Sequence, residues 1–176
     1  MNFEEKLKQM SNDGLQKEMQ IQIMNAEKAA LTKSKETLTI KTKSIIESVF
    51  DIIKEYYPKT SYKATHEIVN GKIEPLMGVF SCCFLEFKED KIYGIYQPTV
   101  IGFKLKVEDT CDIKIVHAIS KNPPMSKDFK ADLLGELDSK LMNDKAYYSK
   151  EFNEEAIRES TQEVLIKSIG LIKANS

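Results

Sequence analysis

Residues 44–57 read SIIESVFDIIKEYY, and the spacing of their apolar positions decides how the rest of the chain must be arranged. Ile45, Ile46, Val49, Phe50, Ile52, Ile53 and Tyr56 recur at the intervals of a helix with a broad apolar stripe along one side. A stripe that wide has to be covered by a sheet or by other helices. Glu47, Asp51, Lys54 and Glu55 occupy the far side. Pro58 ends the run, because it lacks the next backbone donor and pushes Tyr57 out of the helical region. The stretch reads as the core-facing helix of a domain whose sheet follows, and it carries no chemistry of its own.

Upstream, residues 2–31 are rich in Glu, Lys, Gln, Met and Ala and poor in β-branched types, a helical composition. Ser11-Asn12-Asp13-Gly14 is predicted to interrupt it, with Asn12 or Asp13 as the N-cap of the helix proper. Met24, Leu31, Leu38, Ile45 and Ile52 then recur every seven residues and would line one seam of a continuous helix. Met24, Leu31 and Leu38 are the expected oligomer or partner contacts. The complementary seam positions, Lys28, Lys35, Thr42, Val49 and Tyr56, are poor, so a long helix that packs in a dimer or on its own domain is favoured over a strict coiled coil. Residues 37–43, TLTIKTK, alternate with period two and read as helix, short strand or break. Lys28, Lys33, Lys35, Lys41 and Lys43 face only Glu36 in opposition, which makes this the most basic region. A solvated face is its first reading and a partner or polyanion contact its second.

Downstream the periodicity becomes that of strands. Residues 62–69 and 72–76 flank Asn70-Gly71, which predicts a two-residue type I′ hairpin, at an edge because of Pro75. Residues 77–88 are apolar on both faces and are placed centrally. Strands at 91–97, 99–107 and 111–119 follow. Ile101, Phe103, Leu105 and Val107 alternate with Gly102, Lys104 and Lys106, a pattern with one wet face, and Ile113, Ile115, His117 and Ile119 share a face of the next strand. Asn122-Pro123-Pro124 stops the sheet. A helix N-capped by Ser126 runs to about Ala146, and a last helix starts near Ser149 with Glu151, Glu154, Glu155, Glu159 and Glu163 early, where they suit its dipole. The expected class is α+β: a long N-terminal helix, an antiparallel sheet of four or five strands and two C-terminal helices. Residues 1–42 form a helical extension that could serve oligomerisation, and 43–176 a single α+β domain.

With 41% hydrophobic and 30% charged residues and a formal net charge of -1, the 176-residue chain has the composition of a soluble globular protein and implies no polyanionic partner. The longest apolar run, MGVFSCCFLEF, falls short of the roughly 20 residues of a membrane span, and no signal-type apolar segment follows NFEEKLKQ. A cytoplasmic location without membrane contact is expected. Adjacent Cys82 and Cys83 with lone Cys111 make no disulfide framework. The single arginine, Arg158, among 26 basic residues weighs slightly against phosphate recognition.

No catalytic, metal or cofactor site is read from these residues, and each candidate stands beside a simpler account. Cys82 or Cys83 with His117 could pair nucleophile and base if they lay on neighbouring strands, although core packing explains the thiols. Two histidines and three cysteines lack any zinc spacing. Glu86-Phe87-Lys88 puts a carboxylate and an ammonium on one strand face, as a metal-dependent nuclease requires, with Glu67, Glu74 or Asp112 as second acid. Triplets of that kind arise often by chance. No glycine-rich phosphate loop is present. The favoured reading is a non-enzymatic interaction or regulatory protein that assembles through its N-terminal helix, as a homo-oligomer, and binds another protein. Nucleic-acid binding through the lysines from Lys28 to Lys43 comes second, and a nuclease using Glu86 and Lys88 third.

Overall fold

A computed structural model describes residues 2–56, 62–72, 79–89, 99–120 and 129–174. The chain divides into two compact units, Met1–Ser34 and Lys35–Ser176. Helix α1, Phe3–Tyr56, supplies all the regular structure of the first and opens the second.

In the first unit the helix starts at Phe3, well before the expected cap at Asn12 or Asp13. The Glu4 N–H donates to Asn2 Oδ1 at 2.6 Å, and the Asn2 N–H donates to Glu5 Oε2 at 2.9 Å. This reciprocal arrangement satisfies two of the donors a helix N-terminus leaves open. With a cap already in place, Ser11-Asn12-Asp13-Gly14 is simply carried as helix interior.

In the second unit the alternating segment 37–43 is helical too. Thr39 and Thr42, three apart, turn to the same side and are buried, and the Thr39 hydroxyl donates to the Lys35 carbonyl at 2.8 Å. Packing of that side outweighs the weak strand preference of threonine. Ile45, Ile46, Val49 and Phe50 are then buried in one cluster with Ile101, Phe103, Leu105 and Val107. The Phe50 and Phe103 rings lie 5.5 Å apart, centroid to centroid. Ile52, expected in the stripe, is 44% exposed, because it sits at the margin of the arc centred on Val49 and Ile46.

The strands β1 (Tyr62–Lys72), β2 (Val79–Glu89), β3 (Thr99–Val107), β4 (Ile113–Ser120) and β5 (Tyr148–Lys150) pair antiparallel in the order β1-β2-β3-β4-β5. Helices α2 (Phe129–Met142) and α3 (Glu154–Ala174) complete the α+β unit. Four or five strands were expected in the sheet; the strands whose described side chains are buried number three, β3, β4 and β5. The Asn70-Gly71 hairpin does not form: both residues lie inside β1, opposite Ser81 and Phe80. The β1–β2 ladder continues through both residues to Lys72 opposite Val79, so pairing with the next strand, not the local turn preference, sets their conformation. The strand expected at 91–97, Pro75 and the Ser126 cap lie outside the described residues.

The two faces of β3 and β4 are covered by different helices. Ile113 and Ile115 join Phe50, Ile157 and Leu165, so α1 and α3 share one face. Val116 and Ala118 pack with Leu133 and Leu137 of α2 on the other. The face of β3 expected to be wet is therefore closed. Gly102 makes this possible, since a Cβ there would stand 2.9 Å from Leu133 Cδ2 and 3.1 Å from Leu137 Cδ1. Lys104, 4% exposed on the same face, pairs with Asp138 of α2.

Tight turns set the remaining register. Between β3 and β4 the Cys111 N–H donates to the Glu108 carbonyl at 2.9 Å, with Cys111 left-handed at φ 65°. Cys111 therefore belongs to the turn and not to the strand predicted at 111–119. Helix α2 ends with Asp144 at φ 55° and the Lys145 N–H donating to the Lys140 carbonyl at 2.9 Å, a Schellman closure. Residues Tyr148–Lys150, expected to begin the last helix, add a short strand to β4. That helix begins instead after Asn153, whose Oδ1 accepts the Ala156 N–H at 2.9 Å.

Candidate interaction surface

The first unit is one helix, so its surface follows from spacing alone. Phe3, Leu7, Met10, Ile21 and Met24 lie three, four or eleven residues apart, which returns each to nearly the same side. All are exposed: Phe3 by 76%, Met10 by 71% and Met24 by 67%. Leu31 continues the row and is half-buried. Gly14 and Lys17 fill the middle of the row, and nothing stands within 4 Å of where a Gly14 Cβ would be. Of the expected contact residues, Met24 and Leu31 thus lie on this row, whereas Leu38 belongs to the second unit and packs partly buried on its core cluster.

The five lysines of the basic region are divided among different surroundings. Lys28 and Lys33, both exposed, are five residues apart and so about 140° apart around the helix. In the second unit Lys35 reaches Asp109 in the β3–β4 turn at 2.7 Å, and this ammonium holds the Asp109 carboxyl below its usual pKa. Lys41 stands over the Phe152 ring, 5.8 Å from its centroid, and Lys43 is half-buried.

Register decides between the candidate chemistries. Cys83 is opposite Phe103, and Phe103 is opposite His117, so a whole strand separates the thiol from the imidazole. The neighbouring-strand arrangement that a nucleophile and base would need is not the one present; two strand spacings put the backbones about 10 Å apart. His117 is half-buried between aromatic rings, 5.7 Å from Tyr147 and 6.3 Å from Phe103. Burial first, and the Lys140 ammonium second, lower its pKa from the ordinary 6.5, against a smaller opposing pull from Glu136. Glu86 pairs with Thr65 and Val100, whereas Asp112 stands opposite Glu108 beyond the far end of β3, about 25 Å along the strand. Asp112 is thereby removed as second acid. Glu67 lies opposite Phe84; Glu74 and the side chains of Glu86 and Lys88 lie outside those described. Among the described residues no three His, Cys, Asp or Glu side chains are grouped as metal ligands, and no helix is long and apolar enough to cross a membrane.

No protein-family model, characterised protein or solved structure matches the chain.

Two features had no signal in sequence. A shallow groove of about 360 Å³ lies between Ile40, Ser44 and Ser48 of α1, Phe152 just before α3, and Arg158 in its first turns. Arg158 donates to Ser48 Oγ at 2.7 Å and to Glu154 Oε1 at 3.1 Å, so its guanidinium fastens the two helices together. Its lining holds no histidine or cysteine, and the contact spans 110 residues of sequence. The second is the Lys104–Asp138 pair, which could be anticipated only once α2 was known to cover β3.

Proposed function

We propose that the chain is a non-enzymatic interaction protein of the cytoplasm that assembles through its N-terminal helix, with another protein chain as partner. One observation carries this reading: Phe3, Leu7, Met10, Ile21 and Met24 align along one side of the helix and are open to water, with Leu15, Met19 and Ile23 exposed off that row. Scattered apolar side chains are ordinary on a surface; an aligned row is the pattern of a helix that docks. Most helical stability in proteins comes from packing of an apolar face, and association along the row would supply that packing.

Light scattering after size exclusion, on the full chain and on residues 35–176, tests it. The cut belongs at 34 and not 42, because Thr39 and Thr42 are buried in the second unit. A mass above that of one chain for the full protein and a single-chain mass for the shorter one is expected. Single-chain masses for both would refute assembly.

A further inference from the structure

We infer that the occupant of the N-terminal row is the same row of a second copy, running antiparallel in a two-fold pair. This rests on the assembly reading above and adds partner, direction and register.

The row repeats at alternating steps of four and three: Phe3, Leu7, Met10, Gly14, Lys17 and Ile21, then Met24, Lys28 and Leu31. That is the spacing of a coiled-coil seam. Two positions in it are lysine, and they decide the direction. In a parallel, in-register pair each seam residue meets its own copy, so Lys17 would stack on Lys17 and Lys28 on Lys28. Flanking positions would add Asp13 against Glu18 of the second helix, again like against like.

Reversing one helix about a centre between Leu15 and Gln16 removes each conflict. Leu7 then meets Met24 of the other copy, and Met10 meets Ile21. Lys17 falls opposite Gly14, where the open space around the glycine receives the lysine stem. Glycine in a helix interior costs about 1 kcal/mol relative to alanine, and nothing within the first unit uses the room it leaves. Lys28 falls opposite Phe3, a ring over which an ammonium can sit. On the flank Lys6 faces Glu27 twice by symmetry, and Asp13 faces Gln20. Every charge conflict of the parallel pair has become an attraction, a neutral contact or space.

Sedimentation equilibrium on the full chain tests the arrangement, with Lys6→Glu and with Lys6→Glu/Glu27→Lys. Both sites are exposed, so helix content by circular dichroism should be unchanged. The natural chain should be a dimer. Lys6→Glu turns two attractions into two repulsions and should weaken it by about tenfold, and the double exchange should restore it. A dimer indifferent to Lys6→Glu, or a trimer, would overturn the antiparallel register while leaving assembly intact. A single-chain mass throughout the concentration range would overturn both.

Discussion

At the residue scale, burial costs two polar groups something different, Thr42 its hydrogen-bonded water and half-buried His117 its proton. Thr42 is fully buried, and its hydroxyl has no hydrogen-bond partner among the described residues. An unpaired buried hydroxyl loses its water without compensation, so Thr42→Val, nearly isosteric, should raise stability by about 1 kcal/mol. Urea unfolding measures this, and a loss would mean that the hydroxyl has a partner. His117 is held toward the neutral imidazole by burial. Below pH 6.5 the unfolded chain binds a proton that the folded chain resists, so stability is full above that pH and declines as pH falls toward the lowered folded value. His117→Gln should therefore lose less melting temperature than the natural chain on going from about pH 7 to about pH 5. Equal losses in the two would show that the imidazole is not what acid attacks. The strand alternation puts His117 on one face with Ile113, Ile115 and Ile119; the rings around it, Phe103 and Tyr147, come from segments that the strand pattern alone could not bring together.

At the scale of elements, the closeness of α2 to β3 depends on one missing side chain. Gly102→Ala would place a methyl 2.9 Å from Leu133 Cδ2 and 3.1 Å from Leu137 Cδ1. Both leucines are buried and have little room to yield. The expected loss is about 1–3 kcal/mol for Gly102→Ala, and about 2–5 kcal/mol for Leu137→Ala, which leaves a cavity. Because the second change makes space for the first, the double variant should lose less than the two single losses added together. Strict additivity in chemical denaturation would mean that α2 does not press on Gly102. An alternation of Gly and Lys with large apolar residues reads as half-buried, which is why this helix contact was not expected from sequence. Polar composition cannot distinguish a face turned to water from one covered at close range through a glycine.

At the scale of the whole molecule, the two units should differ in what protects their backbones. Amides of Ile45 to Phe50 belong to the buried cluster of the second unit and should exchange only on global unfolding. Amides along Phe3 to Met24 have no such cluster, and their protection should grow with protein concentration as association stabilises the helix. Hydrogen exchange at two concentrations reads both. Fast exchange at Ile45 to Phe50 beside a protected sheet would contradict the packing of α1 on β3 and β4.

Sequence alone determined the helical stripe around Phe50, the alternation in β3 and β4, the α+β class and the two C-terminal helices, because each is written in local periodicity that burial on one side enforces. It misplaced the start of α1, the Asn70-Gly71 turn and the start of α3, where capping or a neighbouring strand outweighs the nearest turn signal. Tertiary structure alone decided that β3 stands between the cysteine pair and His117, and that Arg158 bridges to Ser48. Those are relations between residues far apart in the chain, and no local preference encodes them. Only the closing of the sheet and the docking of helices on its two faces bring them into being.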